Sequence, residues 1–149
     1  SLLLYGTKVT DISPLSGMPL EGLNLGELEI RSLKPLKGMT LTSLTISSPA
    51  ITDLTLLKGM PLKSLGIGGT GVSDLSAVEG MPLESLFLSP GRAYKGMKVI
   101  RAMNTLRVID DGSHPERSVC MSAEEFWKEY DARHAEPNVG GDGKPAPQP

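Results

Sequence analysis

Apolar residues return along this chain at a fixed interval. The string Gly17-Met18-Pro19-Leu20 reappears as Gly38-Met39-Thr40-Leu41, then as Gly-Met-Pro-Leu from Gly59 and from Gly80, each 21 residues after the last. Five further apolar columns hold the same step, among them Leu23, Leu44, Leu65 and Leu86, and Leu25, Ile46, Ile67 and Leu88. Outside the strands run Val9, Ile30, Ile51 and Val72, then Ile12, Leu33, Leu54 and Leu75, then Leu15, Leu36, Leu57 and Val78. A unit this short cannot bury so many apolar side chains alone, but stacked copies bury them against one another.

Each unit divides into two kinds of local structure. Leu23-Asn24-Leu25 alternates with period two, which predicts a short strand whose copies pair in parallel along a solenoid. Asp74-Leu75-Ser76-Ala77-Val78 spaces its apolar residues three apart, which predicts a tight 3₁₀ arc on the outer face. Asp11, Asp53 and Asp74 open such arcs and are expected to cap their free N–H groups. The glycine of each Gly-Met-Pro closes the arc by adopting positive φ, and the proline prevents continuation.

Both ends depart from the repeat. Ser1-Leu2-Leu3-Leu4 already aligns with a strand, so the chain is expected to be a C-terminal fragment with further repeats or another domain upstream. After Leu88-Ser89-Pro90-Gly91 the spacing turns helical between residues 92 and 104, through Met97, Ile100 and Met103. A last rung is read in Met103, Leu106 and Val108, which sets Thr105, Arg107 and Ile109 on the open side of the sheet. Ser122 and Glu125 form a capping box, with Met121 placed to staple against Phe126. Ala123, Phe126, Trp127 and Tyr130 then make one helical stripe suited to covering that rung. The expected division is repeats over 1–110, a capping loop and helix over 111–136, and a flexible Pro/Gly tail over 137–149.

The columns match the pattern LxxLxLxx[NT]x[VI]xxLxxLxGMP, and the chain resembles the short-repeat leucine-rich class that includes internalins and phosphatase-regulating proteins. It looks closest to bacterial repeats carrying T-x-V-x-D-L-S-P-L-x-G-M-P-L, here Thr7 to Leu20 and, less perfectly, Thr70 to Leu83. The resemblance implies a right-handed α/β solenoid with a parallel concave sheet, 3₁₀ arcs on the convex face and a C-terminal helical cap. It also implies a protein-binding role, beside kinase or other catalytic domains in some bacterial relatives. The asparagine ladder of that class is missing: its column holds Thr7, Leu28, Pro49 and Thr70. Hydroxyls can serve the turn at two of these rungs only, and Leu28 and Pro49 predict looser turns.

Composition removes several classes of function. Lys and Arg number 15 against 17 Asp and Glu, a net charge of −2 that argues against a nucleic-acid binder. No apolar run approaches the roughly 20 residues of a membrane span. Cys120 is the only cysteine, so neither an intrachain disulfide nor a multi-cysteine zinc site can form. That, with no visible leader, leans towards the cytoplasm without fixing a compartment. His114 and Cys120 lack a residue to orient them as a catalytic pair, and no catalytic, cofactor or metal residue is assigned. The stacked methionines are read as core filling rather than Cu(I) ligands, and Asp53 and Asp74 as caps rather than a cation site.

What remains is binding of another protein, by a monomer. The concave strand positions are small and nearly uncharged at the centre, where Asn24 and Thr45 are the larger polar groups, with Tyr5, Phe87 and Arg107 as anchors near the ends. Phe87 has a competing reading as packing beneath the C-terminal helix. Arg92, Lys95, Lys98, Arg101 and Arg107 fall in a stretch free of acids and offer a second contact surface, or simply the solvated face of a helix. Two other readings stay open: a structural spacer with no partner, and the appendage of an enzyme whose catalytic domain lies upstream.

Overall fold

In the computed structural model, residues 1–114 and 120–135 are described. Six strands form one parallel sheet in sequence order: β1 (Leu2–Leu3), β2 (Gly22–Leu25), β3 (Ser43–Ile46), β4 (Ser64–Gly66), β5 (Ser85–Phe87) and β6 (Val108–Asp110). Leu23 faces Leu44, Leu44 faces Leu65 and Leu65 faces Leu86, so the column seen in the sequence becomes a ladder in the core. Leu44, Leu65 and Leu86 are fully buried in a single continuous core. At about 25 cal/mol per Å² of apolar surface, this shared burial is the dominant stabilising term.

The outer face carries four 3₁₀ turns, Ser13–Leu15, Lys34–Leu36, Thr55–Leu57 and Ser76–Val78. In three of them an aspartate accepts the first free amide: Asp11 from Ser13, Asp53 from Thr55 and Asp74 from Ser76, each at 2.8 Å. Ser32 does the same for Lys34. The aspartate sits one residue outside the formal cap, which is Ile12, Leu54 or Leu75, and works as an Asx turn. The amide and hydroxyl of Ser13 hold the Asp11 carboxyl below the usual aspartate range, and Thr55 acts likewise on Asp53. For Asp74 the Ser76 hydroxyl contributes most, followed by its amide. Gly17, Gly38, Gly59 and Gly80 end the arcs with φ of 74°, 78°, 81° and 77°, the left-handed region that the repeat demands there.

At the missing asparagine column, the hydroxyls of Thr7 and Thr70 donate to the carbonyls of Leu4 and Ile67. Leu28 instead turns into the core, and the turn at Pro49 closes two residues further on, where the Ile51 amide donates to the Ser48 carbonyl. The Ser48 hydroxyl also reaches back 2.6 Å to the Ile30 carbonyl of the previous unit.

The last rung departs from the sequence reading. Leu86 faces Ile109 and Phe87 faces Asp110, a step of 23 residues rather than about 20. The insertion is taken up by α1 (Met97–Arg101), and Ile109 points into the core, fully buried. Arg107 therefore does not stand beside Phe87; it precedes β6, in the column of Lys63 and Glu84, and its amide donates to the Glu84 carbonyl. Beyond β6 the chain returns antiparallel: Val108 pairs with Ser122, the Ile109 amide donates to the Met121 carbonyl, and the Ala123 amide donates to the Arg107 carbonyl. α2 (Ala123–His134) follows, opened by the capping box, with Met121 and Phe126 buried in the common core. Ala123, Trp127 and Tyr130 pack against that core. The tail over 137–149 lies outside the described residues.

Candidate interaction surface

Side chains at alternate strand positions face away from the core. Across the sheet they form the row Leu3, Asn24, Thr45, Gly66, Phe87 and Asp110. At the β1 end, Leu3 is 74% and Tyr5 59% exposed. Towards β6, Phe87 is half-buried between Gly66 and Asp110, outside the core cluster that α2 covers. Leu3 and Asp110 were not among the candidate contacts; Leu3 was legible as an exposed strand position, whereas Asp110 depended on the misread step.

Several of these groups also hold the sheet's upper rim together. The Tyr5 hydroxyl donates to Glu27 Oε1 at 2.6 Å, and this bond to a carboxylate raises the phenol's pKa. Its ring lies over Gly26, where a Cβ would come within 2.8 Å of Tyr5 Cδ2. Asn24 folds back to accept the Gly26 amide at 2.8 Å. Thr45 leans towards Gly66, where a Cβ would meet its Cγ2 at 3.2 Å. Ser47 and Ser89 accept the amides of Glu27 and Gly69, both positive-φ turn residues of the preceding unit. The middle of the face is consequently pre-ordered and nearly bare of side chains.

The cationic stretch does not stay free of acids in space. Arg101 forms a two-pronged ion pair with Asp131 of α2, one prong at 2.8 Å, and its guanidinium lies 4.8 Å over the Trp127 ring. The bond to Arg101 holds the Asp131 carboxyl below its ordinary value against the opposing pull of desolvation. Arg92 donates to the Thr70 carbonyl, and the main chain of Lys95 pairs with the segment around Asp74. Lys98 and Arg107 are exposed. Arg101 is thus a clamp between α1 and α2, a role that an acid 30 residues away made invisible in the sequence.

Among the described residues, no group of three His, Cys, Asp or Glu side chains is arranged to hold a metal. His114 Nε2 lies 2.6 Å from Glu129 Oε2, and Cys120 is exposed. No described helix is long and apolar enough to cross a membrane.

A six-stranded parallel sheet with one strand and one 3₁₀ arc per regular unit defines the class: the chain is a leucine-rich repeat solenoid. Among solved structures it is similar to an internalin (InlF) from Listeria monocytogenes, at 32% sequence identity and a TM-score of 0.65. The match covers 72% of this chain and 33% of that one, so the chain spans about a third of the internalin's length. No protein-family model matches the chain, and no curated protein matches it.

Proposed function

We propose that the chain is a non-enzymatic, monomeric module that docks another protein on its concave sheet. The observation that supports this reading is the distribution of large apolar side chains. Among the described residues only Leu3, Tyr5 and Met18 are exposed large hydrophobic side chains; Leu3 belongs to the concave row and Tyr5 lies two residues beyond it, with Phe87 half-open further along the row. Aromatic anchors at two places on a rigid floor suit a partner that bridges them, since aromatic residues dominate binding hot spots. Asn24 and Thr45 supply polar floor between the anchors. Recruitment by a larger bacterial signalling protein, such as a kinase, is the finer form of this reading and rests on the resemblance of the Thr7–Leu20 and Thr70–Leu83 segments.

A photo-reactive residue at Thr45 on the concave side, compared with one at Lys37 on the convex side, tests the proposal. A partner is expected to be captured from Thr45 and not from Lys37, and to be lost on Phe87→Ala or Tyr5→Ala. Equal capture from both faces would defeat it. Capture from neither would favour the spacer reading, which Gly26, Gly66 and Gly68 support by leaving the centre of the sheet so bare.

A further inference from the structure

Where α2 meets the last regular unit, the two do not close completely. A cleft of about 400 Å³ opens between the 91–97 segment and α2. Its walls are Leu88, Tyr94, Met97, Phe126 and Tyr130, and Arg92 and Arg133 stand among its polar groups. That volume falls within the roughly 300–1,000 Å³ of small-ligand pockets. The walls are held in place: the Tyr94 hydroxyl accepts the Ser89 amide at 2.9 Å, Phe126 is 1% exposed, and Tyr130 stacks on His134 with centroids 4.0 Å apart.

The charges in the cleft are unequal. Asp111 is satisfied within the fold, taking the Ser113 amide and hydroxyl and Arg133 at 3.2 Å. Arg133 is thereby matched. Arg92 donates to the Thr70 carbonyl and has no carboxylate within ion-pair distance among the described residues. The cleft therefore presents an apolar wall beside one guanidinium that lacks a counter-charge, a combination complementary to an apolar group carrying an anion.

We propose that this cleft is a second binding site, distinct from the concave sheet, and that it takes a small carboxylate carrying an apolar group: the apolar group against Tyr94, Met97 and Tyr130, the carboxylate on Arg92.

The test uses the full chain and two probes, N-acetyl-phenylalanine and its uncharged amide, followed by amide chemical shifts and by the fluorescence of Trp127, whose ring contacts Phe126 and Tyr130. The acid is expected to bind about tenfold or more tightly than the amide, as fits a charge-assisted bond, with shifts centred on Gly91, Ala93 and Met97. Arg92→Gln, which keeps a donor for the Thr70 carbonyl, should abolish that preference, whereas Arg107→Gln should leave it intact. The acid–amide comparison needs no variant, so it decides even if Arg92→Gln folds poorly. Equal binding of the two probes, no binding, or shifts elsewhere would overturn the proposal. So would Overhauser contacts in the unliganded chain from residues 136–149 to Met97 or Phe126, which would assign the cleft to the chain's own terminal segment.

Discussion

The two outer strands of the sheet are built from the same repeat and meet different fates. β6 is closed: the 121–123 segment pairs with its outer edge, and α2 lays Phe126 into the core beside Ile109. Among the described residues β1 pairs with β2 alone, and the columns buried in the later units are less buried there. Met18 is 41% exposed, whereas Met39, Met60 and Met81 in the same column are at most 5% exposed. Leu4 and Leu20 are half-buried, whereas Ile46, Ile67, Leu41, Leu62 and Leu83 are fully buried. The residue types barely change between rungs. What changes is the neighbour, so burial in this fold belongs to the contact between units rather than to the unit.

The comparison can be broken or sharpened by substitution. The largest loss is expected from Phe126→Ala, which empties the closed end; about 3–5 kcal/mol should disappear in urea denaturation followed by circular dichroism. A loss under about 1 kcal/mol would mean that α2 does not seal the core. Next comes the matched pair Met60→Ala and Met18→Ala. The first should cost about 2–5 kcal/mol and the second less than about 1 kcal/mol by the same measurement. Similar losses at both would contradict the idea that neighbours supply burial. Ser122→Ala removes the cap of α2, where the Ser122 hydroxyl accepts the Glu125 amide at 3.2 Å and the Glu125 carboxylate takes the Ser122 amide at 3.1 Å. About 1 kcal/mol is expected, with the midpoint lowered and the helix frayed at its start.

The smallest effect is that of acid. Asp11, Asp53 and Asp74 all titrate below the ordinary aspartate value of 3.8 in the folded chain. Asp111 does so too: burial pushes it up, but the Ser113 hydroxyl and amide and Arg133 outweigh that. A folded-state value below the unfolded one means that these bonds stabilise fully above the ordinary value and fail as pH falls through the lower, folded one. Thermal midpoints should therefore be flat near neutrality and decline only in strong acid. A midpoint that rises on acidification below that value would contradict the assigned bonds.

How far the sequence could be read follows the same division between local and distant causes. The regular units were legible because each position is set by a period that never varies from Gly17 to Gly80, and turn glycines, caps and core columns all fell where the period placed them. The last rung was not, because Met103-x-x-Leu106-x-Val108 completes the LxxLxL pattern, whereas Leu106-x-x-Ile109 is followed by Asp111 at the third apolar position. Packing decides for the second, with Ile109 against Leu86 and two extra residues absorbed around α1. That shift removed Arg107 from the concave row and put Asp110 beside Phe87. The cationic stretch misled for a similar reason, since Asp131 reaches Arg101 only after α2 has docked. The cleft beside α2 had no linear signature at all: its walls come from segments more than 25 residues apart.

Native-state hydrogen exchange, resolved amide by amide, tests the central claim most directly. If neighbouring units lend each other their stability, the amides of β3 to β5 should exchange slowest, and the Ile109 amide, sealed onto Met121, should approach them. In this chain the Leu4 and Gly6 amides, bonded to Asn24 and Gly26 beside β1, should exchange markedly faster. Equal protection at both ends, or an Ile109 amide that exchanges as fast as that of Leu4, would contradict the account.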